Sequence, residues 1–142
     1  TIHVRNSLTI VLSGSDANIV FTINNIPINT IPLAQCLDNI AFSNVTTTFE
    51  VKLTDVNGNV MPAGTTISFE TTNGAILTTP TSFTVPSTST KTPPTYTVNM
   101  ESDATQDAAL KCTNEKSNGI FTVTVITTPQ GISTQKTIAV TD

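Results

Sequence analysis

The segment FEVKLTDVNGNVMPAGTTISF, residues 49–69, predicts two β-strands joined by a structured turn. Apolar and polar residues alternate before the turn, and this period of two is typical of a strand with one buried face. The central Asn-Gly-Asn supplies residues that tolerate the positive φ of tight turns, and the Pro-Ala-Gly that follows interrupts regular backbone. We therefore assign a structural turn role to Asp55, Asn57, Gly58, Pro62 and Gly64.

The same alternation recurs along the rest of the chain and predicts an all-β fold. Apolar residues occupy every second position in the segments 8–12, 18–23, 67–69, 83–85, 96–100, 121–125 and 138–140. A Pro-Gln-Gly turn at residues 129–131 separates the last two segments, as in a hairpin. Short strands separated by turns, with no sustained helical period, predict a β-sandwich of about seven to nine strands.

The composition favours strands and argues against nucleic acid as a partner. The 142 residues include 30 threonines and 13 asparagines, whereas charged residues make up only 11% of the chain. Threonine is β-branched and suits a pleated surface. The six basic residues are scattered and the net charge is −4, so the sequence offers no basic patch for phosphate binding. No apolar run approaches the ~18 residues of a membrane span, so no transmembrane segment is predicted.

Residues 49–74 resemble the B–C region of bacterial immunoglobulin-like domains of the invasin/intimin type, the Big domains. In that family a strand ending in Asp is followed by an Asn-Gly-Asn-type turn, a Pro-Gly corner and a strand rich in Thr and Ser. The likeness is close over residues 49–74 and looser over residues 117–142. It implies an immunoglobulin-like β-sandwich of two antiparallel sheets. The length of the chain fits a single domain over residues 1–142.

The resemblance also implies a function. Domains of this type are rigid, non-enzymatic modules for cell adhesion in bacterial cell-surface or secreted proteins, where they are strung in tandem and project from the outer membrane. We therefore expect an extracellular spacer whose partners are the neighbouring immunoglobulin-like domains of its parent chain. Two alternatives stay open: a stand-alone domain that binds a host-cell protein or glycan, and a pilus-type subunit that accepts a donor strand.

Two irregular segments are longer than such compact modules need. Residues 24–45 contain two prolines, and residues 35–41 are a candidate for a single helical turn. Residues 78–95 are rich in Thr, Ser and Pro and predict a crossover loop between the sheets. If the chain is a stand-alone binding domain, these two segments are the candidates for its receptor-binding surface.

Cys36 and Cys112 lie 76 positions apart, and neither belongs to a Cys-x-x-Cys pair. They could form one disulfide or remain two free thiols, and the charge-poor, Thr-rich composition favours an extracellular disulfide. Both cysteines precede predicted core strands. A disulfide between them is therefore expected to be a peripheral staple that joins segment 24–45 to the loop before residue 121.

No arrangement of residues points to catalysis, so neither an enzyme nor a cofactor is predicted. The only histidine, His3, lies near the chain terminus and has no rigid setting for a catalytic triad. Glu50 and Glu70 are predicted to face solvent, which does not fit a glycosidase pair. Glycan stacking also has little support, because the chain has no Trp and its single Tyr96 is predicted to face inward.

A calcium site is the one metal hypothesis that the sequence raises. Asp55, Asn57 and Asn59 have the spacing of oxygen ligands, but the glycine comes at the fourth position rather than the sixth, and no glutamate follows at the twelfth. We therefore prefer a turn whose asparagine side chains bond their own backbone, with no metal.

Overall fold

The computed structural model describes residues 16–87, 92–114, 118–128 and 131–142. Within these ranges the chain forms β-strands and no helix, which confirms the predicted all-β class. The strands are β1 (Ala17–Ile23), β2 (Ile26–Pro27), β3 (Thr30–Pro32), β4 (Thr47–Asp55), β5 (Thr66–Thr71), β6 (Ala75–Ile76), β7 (Ser82–Thr84), β8 (Thr95–Glu101), β9 (Thr105–Gln106), β10 (Cys112–Thr113), β11 (Asn118–Ile126) and β12 (Ser133–Thr141). The strand predicted at residues 8–12 and the single histidine, His3, lie outside the described residues.

The first sheet has the order β2-β1-β4-β8-β6 and is antiparallel throughout. Its centre is β4, which pairs with β1 on one side and with β8 on the other. Phe49, Val51 and Leu53 of β4 are fully buried, as their alternation predicts.

The second sheet has the order β3-β12-β11-β5-β7. This sheet is antiparallel as predicted except at one edge, where β3 runs parallel to β12 and makes the sheet mixed. The cause lies in the connection from β1. Asn24 and Asn25, with φ of 52° and 64°, reverse the chain into β2. A second reversal then brings β3 to the edge of the second sheet in the direction of β12.

The strand order is that of an immunoglobulin-like sandwich. In the lettering of that fold, β1, β4, β8 and β6 correspond to strands A, B, E and D, and β12, β11 and β5 correspond to strands G, F and C. Beside the two sheets, β9 and β10 form a separate two-stranded ribbon. The candidate helical turn at residues 35–41 is also wrong, since this stretch contains a turn at Asp38 and Asn39 instead.

A cluster of aromatic rings joins the sheets at the centre of the core. The Phe121 ring on β11 meets Phe21 and Phe49 of the first sheet edge to face, at centroid distances of 6.1 and 5.1 Å. It also stacks on Phe69 of its own sheet at 5.7 Å. Edge-to-face and offset-stacked arrangements are those that aromatic pairs prefer. These rings form the inter-sheet core in a domain without the Trp and core disulfide of antibody domains.

A lysine adds a second link between the sheets. The Lys136 ammonium on β12 donates a hydrogen bond of 2.7 Å to the carbonyl of Ile19 on β1 and lies 5.8 Å from the centre of the Phe21 ring. A cation above an aromatic face is attracted by the ring quadrupole. Lys136 thus connects two strands that belong to different sheets.

The strands define two ends of the sandwich. At the turn end, Ala17 pairs with Asp55, and Thr128 of the β11–β12 hairpin donates a hydrogen bond of 3.2 Å to the Ala63 carbonyl. At the opposite end, which we call the cap end, β12 finishes beside the start of β11 and beside β3. The described chain therefore enters its first strand at the turn end and completes its last strand at the cap end.

The cap end holds the last residue in place. The Asp142 carboxylate accepts hydrogen bonds from Asn73 Nδ2 at 2.8 Å and from Ser102 Oγ at 3.0 Å. Asn73 and Ser102 are both buried. These two contacts anchor the Asp142 side chain to buried groups of the sandwich.

We expect Phe121→Ala to lower the free energy of unfolding by about 3–5 kcal/mol, because it removes a fully buried ring that contacts both sheets. Chemical denaturation followed by circular dichroism measures this loss. The neighbouring Ile120 is 48% exposed, so Ile120→Ala is the control and should change stability by about 0.5 kcal/mol or less. Similar losses for the two variants would contradict a core centred on Phe121.

Candidate functional site

The predicted turn after β4 is organised by one carboxylate. Asp55 Oδ1 accepts hydrogen bonds from the backbone N–H groups of Asn57 and Asn59, both at 2.8 Å. The Asp55 N–H donates to the Asn59 carbonyl at 2.8 Å, and the Gly58 N–H donates to the Asp55 carbonyl at 3.1 Å. Gly58 has a φ of +81°, which closes the loop without strain. The self-bonded turn is therefore present, with Asp55 rather than an asparagine as the bonding side chain.

This geometry bears on the calcium hypothesis. Asp55 is completely buried and its Oδ1 atom is bonded to two backbone amides, so its lone pairs are directed into the turn. Among the described residues, no group of three or more His, Cys, Asp or Glu side chains is arranged to hold a metal ion.

The corner at Pro62 and Gly64 fits tightly against two other segments. The Gly64 N–H donates to the Val85 carbonyl at 2.9 Å, and the Thr65 N–H donates to the Pro62 carbonyl at 3.1 Å. Gly64 has a φ of +86°, and a Cβ atom there would lie 2.6 Å from Thr128 Oγ1. Only glycine satisfies both the conformation and the space at this corner.

The cap end carries a disulfide-linked region outside the two sheets. A disulfide joins Cys36 and Cys112, and Cys36 is only 5% exposed. It links residues 33–46 to residues 102–114, and we call these two segments together the cap. The disulfide lies outside the core strands, so the predicted peripheral position is confirmed.

Polar side chains reinforce the disulfide across the cap. Asp38 Oδ1 accepts the Cys112 N–H at 2.9 Å, and Asp38 Oδ2 forms an exposed ion pair with Lys111 at 3.4 Å. The backbone hydrogen bond from Cys112, followed by the bond from Lys111, lowers the pKa of the Asp38 carboxyl below its ordinary value. The negative form of Asp38 therefore stabilises the contact between the two cap segments.

Gln106 is the second connecting side chain. Its Nε2 group donates to the carbonyls of Ile40 at 2.7 Å and Leu37 at 3.2 Å, with a longer contact of 3.4 Å to Leu110. Its Oε1 atom accepts the Phe42 N–H at 2.8 Å. One amide thus binds the backbone of one cap segment at three residues, and it holds Leu37 and Ile40 in fixed positions.

The loop from Asp107 to Lys111 repeats the hydrogen bonding of the Asp55 turn. Asp107 Oδ1 accepts the N–H groups of Ala109 and Lys111, both at 2.9 Å. The Asp107 N–H donates to the Lys111 carbonyl at 2.9 Å, and the Leu110 N–H donates to the Asp107 carbonyl at 3.0 Å. Leu110 therefore occupies the position that Gly58 has in the first loop, with a φ of +58°. A branched side chain in this conformation costs roughly 1–2 kcal/mol.

The cap also exposes apolar side chains. Leu37 is 48% exposed, Ile40 is 59% exposed and Leu110 is 38% exposed. Contacts through the Gln106 amide and the bond from Asn39 N–H to the Leu110 carbonyl at 2.8 Å bring the three residues into one neighbourhood. Strained residues that persist in a fold concentrate at functional positions. The cap is therefore the candidate functional site, and its chemistry is that of an apolar binding surface.

The structure does not bring Glu50 and Glu70, the two carboxylates considered as a glycosidase pair, close together. Glu50 lies on the first sheet, where it accepts a hydrogen bond from Thr22, and Glu70 lies on the second sheet. Glu70 is exposed and Glu50 half-buried on strands whose alternate residues form the core, so the two carboxyls point away from each other on opposite faces of the sandwich. Tyr96 packs against Phe69 and Phe83 rather than facing solvent, and burial raises the pKa of its hydroxyl.

The two irregular segments lie in different parts of the domain. Residues 24–45 bond to β1, to the end of β12 and to residues 102–112. The described part of residues 78–95 bonds to β4, β5 and β8 and to the Gly64 corner. Segment 24–45 is thus joined to the loop before β11 as well as to the sheets, whereas the described part of residues 78–95 contacts the sheets and the Gly64 corner.

Gln106 and Leu110 are the site residues that sequence reasoning missed. Gln106 acts on backbone carbonyls about 70 positions away, and no local pattern marks an amide with such a role. Leu110 could be recognised only after the Asp55 turn was known. The signal is an aspartate three positions earlier, since Asp107 precedes Leu110 as Asp55 precedes Gly58.

Comparison with models of known protein families finds no match, and no curated protein matches the chain. Among the described residues, no helix has the length and apolar character needed to cross a membrane.

We expect Leu110→Gly to leave the free energy of unfolding unchanged or to raise it by up to about 1 kcal/mol, because glycine relieves the left-handed backbone. The matched variant is Gly58→Leu in the equivalent loop, which should lower stability by about 1–2 kcal/mol. Thermal and chemical denaturation of both variants measure the difference. A loss of more than about 1 kcal/mol for Leu110→Gly would contradict this expectation. It would show that packing of the Leu110 side chain outweighs the free-energy cost of its left-handed backbone.

We expect the cap to loosen in acid while the sheets stay intact. A pKa that is lower in the folded state means that the Asp38 carboxylate stabilises the cap at neutral pH, and that this contribution is lost as the pH falls through the folded-state pKa, below about pH 4. Hydrogen-exchange protection of the Cys112 amide should therefore fall in this range, whereas amides of β4 stay protected. Asp38→Asn should remove the pH dependence, and a protection factor for Cys112 that does not change with pH would contradict the role of Asp38.

Proposed function

We propose that this chain is a non-enzymatic structural and adhesion module of a bacterial cell-surface or secreted protein, and that it serves as a spacer within a tandem array of immunoglobulin-like domains. The observation that carries the proposal is the path of the chain. The first described strand starts at the turn end and the last strand finishes at the cap end. Copies joined in one polypeptide can therefore follow one another along the long axis.

The arrangement of hydrogen bonds suits a load-bearing role. Ladder bonds between antiparallel strands lie perpendicular to the strands, so a pull along the long axis loads many of them together. The two strands nearest the ends of the described chain are well paired, with six residue pairs between β1 and β4 and nine between β11 and β12. The disulfide closes a loop of 76 residues and limits how far the chain can extend if strands separate.

The same features favour an extracellular location. A disulfide persists in oxidising surroundings, which for a bacterial protein are the periplasm, the cell surface and the medium.

One observation supports a second candidate function, that of a stand-alone binding domain for a host-cell protein. The cap presents Leu37, Ile40 and Leu110 to solvent on a rigid frame. Surface apolar groups held in a fixed geometry are typical of protein interaction sites. A glycan is the poorer ligand for this surface, because its exposed side chains are aliphatic and offer no aromatic face for a sugar ring.

We expect the parent protein to be far larger than the 15.0 kDa of this chain and to occur in the surface or secreted fraction. Immunoblotting of fractionated cells, with an antibody raised against the domain, measures both properties. The antibody should be tested against the purified chain as a size control. A band near 15 kDa would contradict the tandem spacer and favour the stand-alone binding domain.

A further inference from the structure

We propose that β12 pairs side by side with β12 of a second copy of this chain, and that the two strands run antiparallel. The contact is made by one edge of β12 over residues 133–137, which we call the open edge. The inference rests on the proposed function and specifies its adhesive part, because it identifies the partner as another copy of the same domain.

Alternate residues of β12 direct their backbone groups to opposite sides. The Thr127 N–H donates to the Ile132 carbonyl at 2.9 Å, so the even-numbered residues of β12 are the ones bonded to β11. The odd-numbered residues face away from β11. In agreement, the Thr141 carbonyl accepts the Leu33 N–H at 2.7 Å from the side of β3.

The strand β3 covers only part of this second side. It pairs with residues 139–141 and with no residue earlier in β12. The N–H and C=O groups of Ser133, Gln135 and Thr137 therefore point off the edge of the sheet, where no described strand pairs with them. Such a row of backbone donors and acceptors is a template for another strand.

The other edges of the two sheets carry the protection that edge strands usually have. The strands β2 and β6 contain two residues each and β3 and β7 contain three, and both β2 and β3 include a proline. On β1, the Ile19 carbonyl accepts a hydrogen bond from Lys136 and the Phe21 carbonyl accepts one from the Ile28 N–H. Short strands, prolines and backbone groups bonded within the molecule all oppose pairing between molecules. Residues 133–137 instead form a continuous run without proline.

The open edge presents no charge that would repel an identical strand. Ser133, Gln135 and Thr137 are exposed and uncharged. Lys136 is the one charged residue of β12, and its ammonium is bonded to the Ile19 carbonyl of its own molecule. Charged side chains, lysine above all, are a common means of keeping edges apart. Without them, this edge is compatible with a second copy of itself.

Antiparallel pairing makes the open edge complementary to itself. A two-fold axis near Gln135 would bring the outward N–H groups of each strand opposite the outward C=O groups of the other. Both copies contribute the same residues, so each hydrogen bond is formed twice. Parallel pairing of the two strands lacks this two-fold relation and is less stable per residue. A second copy in antiparallel orientation is therefore the partner that the edge fits best.

The orientation has a consequence for adhesion. Because β12 runs from the turn end to the cap end, two paired domains point in opposite directions. Domains that project from one cell surface point the same way, so the partner belongs to an array on a facing cell. A contact of a few hydrogen bonds is weak between separate molecules. Repetition of the contact along two arrays raises the avidity by a factor of about 10²–10⁴.

The test uses the 142-residue chain and amide hydrogen exchange as a function of protein concentration. Between about 0.05 and about 2 mM, exchange of the Gln135 and Thr137 amides should slow by about 2–3-fold, as expected for a Kd near 1 mM. The amides of Thr134 and Lys136 already face β11, so their exchange should not change. This alternation distinguishes strand pairing from general association.

Variants at Gln135 test the backbone donor itself. Gln135→Pro removes an N–H that points off the edge, a change that an edge strand tolerates, and it should abolish the concentration dependence at Thr137. Gln135→Thr is the matched control, since it loses the same side-chain bond to Thr124 but keeps the N–H and should retain the effect. Gln135→Lys keeps the backbone and places like charges across the two-fold axis, so it should also abolish pairing. Well-dispersed spectra establish that each variant is folded, and Gln135→Lys decides if the proline variant is not.

A spin label decides the orientation of the two strands. Ala139→Cys carries the label on the exposed face of β12, and the native cysteines do not compete because they form a disulfide. The labelled protein is mixed with isotope-labelled wild-type chain. Antiparallel pairing should broaden the signals of Ile132 and Ser133 more than that of Thr141, whereas parallel pairing would broaden Thr141 most.

Four results would overturn the proposal. Exchange that is independent of concentration would remove the pairing, and so would an effect that persists in Gln135→Pro. Amides of the open edge that are already protected at the lowest concentration would show that another segment of the same chain occupies it. Strongest broadening at Thr141 would remove the antiparallel orientation and with it the facing arrays.

These results are separate from the immunoblot. A large parent protein whose isolated domain shows no concentration dependence would retain the spacer function and remove the pairing of β12. A parent of 15 kDa would instead remove the spacer function itself.

Discussion

The packing of the Phe121 ring against both sheets is the interaction on which the rest of the domain depends. The ring touches Phe21 and Phe49 across the sandwich and Phe69 within its own sheet. The apolar surface between the two sheets is the main reason that they stay together. Once that surface is buried, the Gly64 corner, the Lys136 link and the Asp142 contacts each have a fixed partner within reach.

The long strands could be predicted from sequence because one buried face imposes a period of two on each of them. Phe49, Val51 and Leu53 follow this rule, as do Phe121, Val123 and Val125. The parallel pairing of β3 could not be predicted, since a strand of three residues is too short to show a period and its direction is set by the reversals before it. Composition favoured the disulfide, and the positions of the cysteines indicated that it would be peripheral.

The cap could not be predicted from the sequence, and the reason is physical. In the described chain no strand pairing joins its two segments; they are joined by a disulfide and by the side chains of Gln106, Asn44 and Asp38, which bond to distant backbone atoms. Long-range bonds from side chain to backbone leave no periodic signal. The two Asp loops show the same limit, because identical hydrogen bonding arises from sequences that share only the aspartate. A glycine at the fourth position of such a loop is a recognisable turn signal in the sequence, whereas a leucine at that position is not.

The contacts of Asp142 have a consequence for any polypeptide that continues beyond it. Because Asn73 and Ser102 hold its carboxylate, the Asp142 side chain is anchored to the sandwich, and a following residue would start from an anchored Cα atom rather than from a freely moving one. If another domain follows, its linker would therefore begin at a residue anchored by Asn73 and Ser102, and loss of either side chain would lengthen the segment that is free to move.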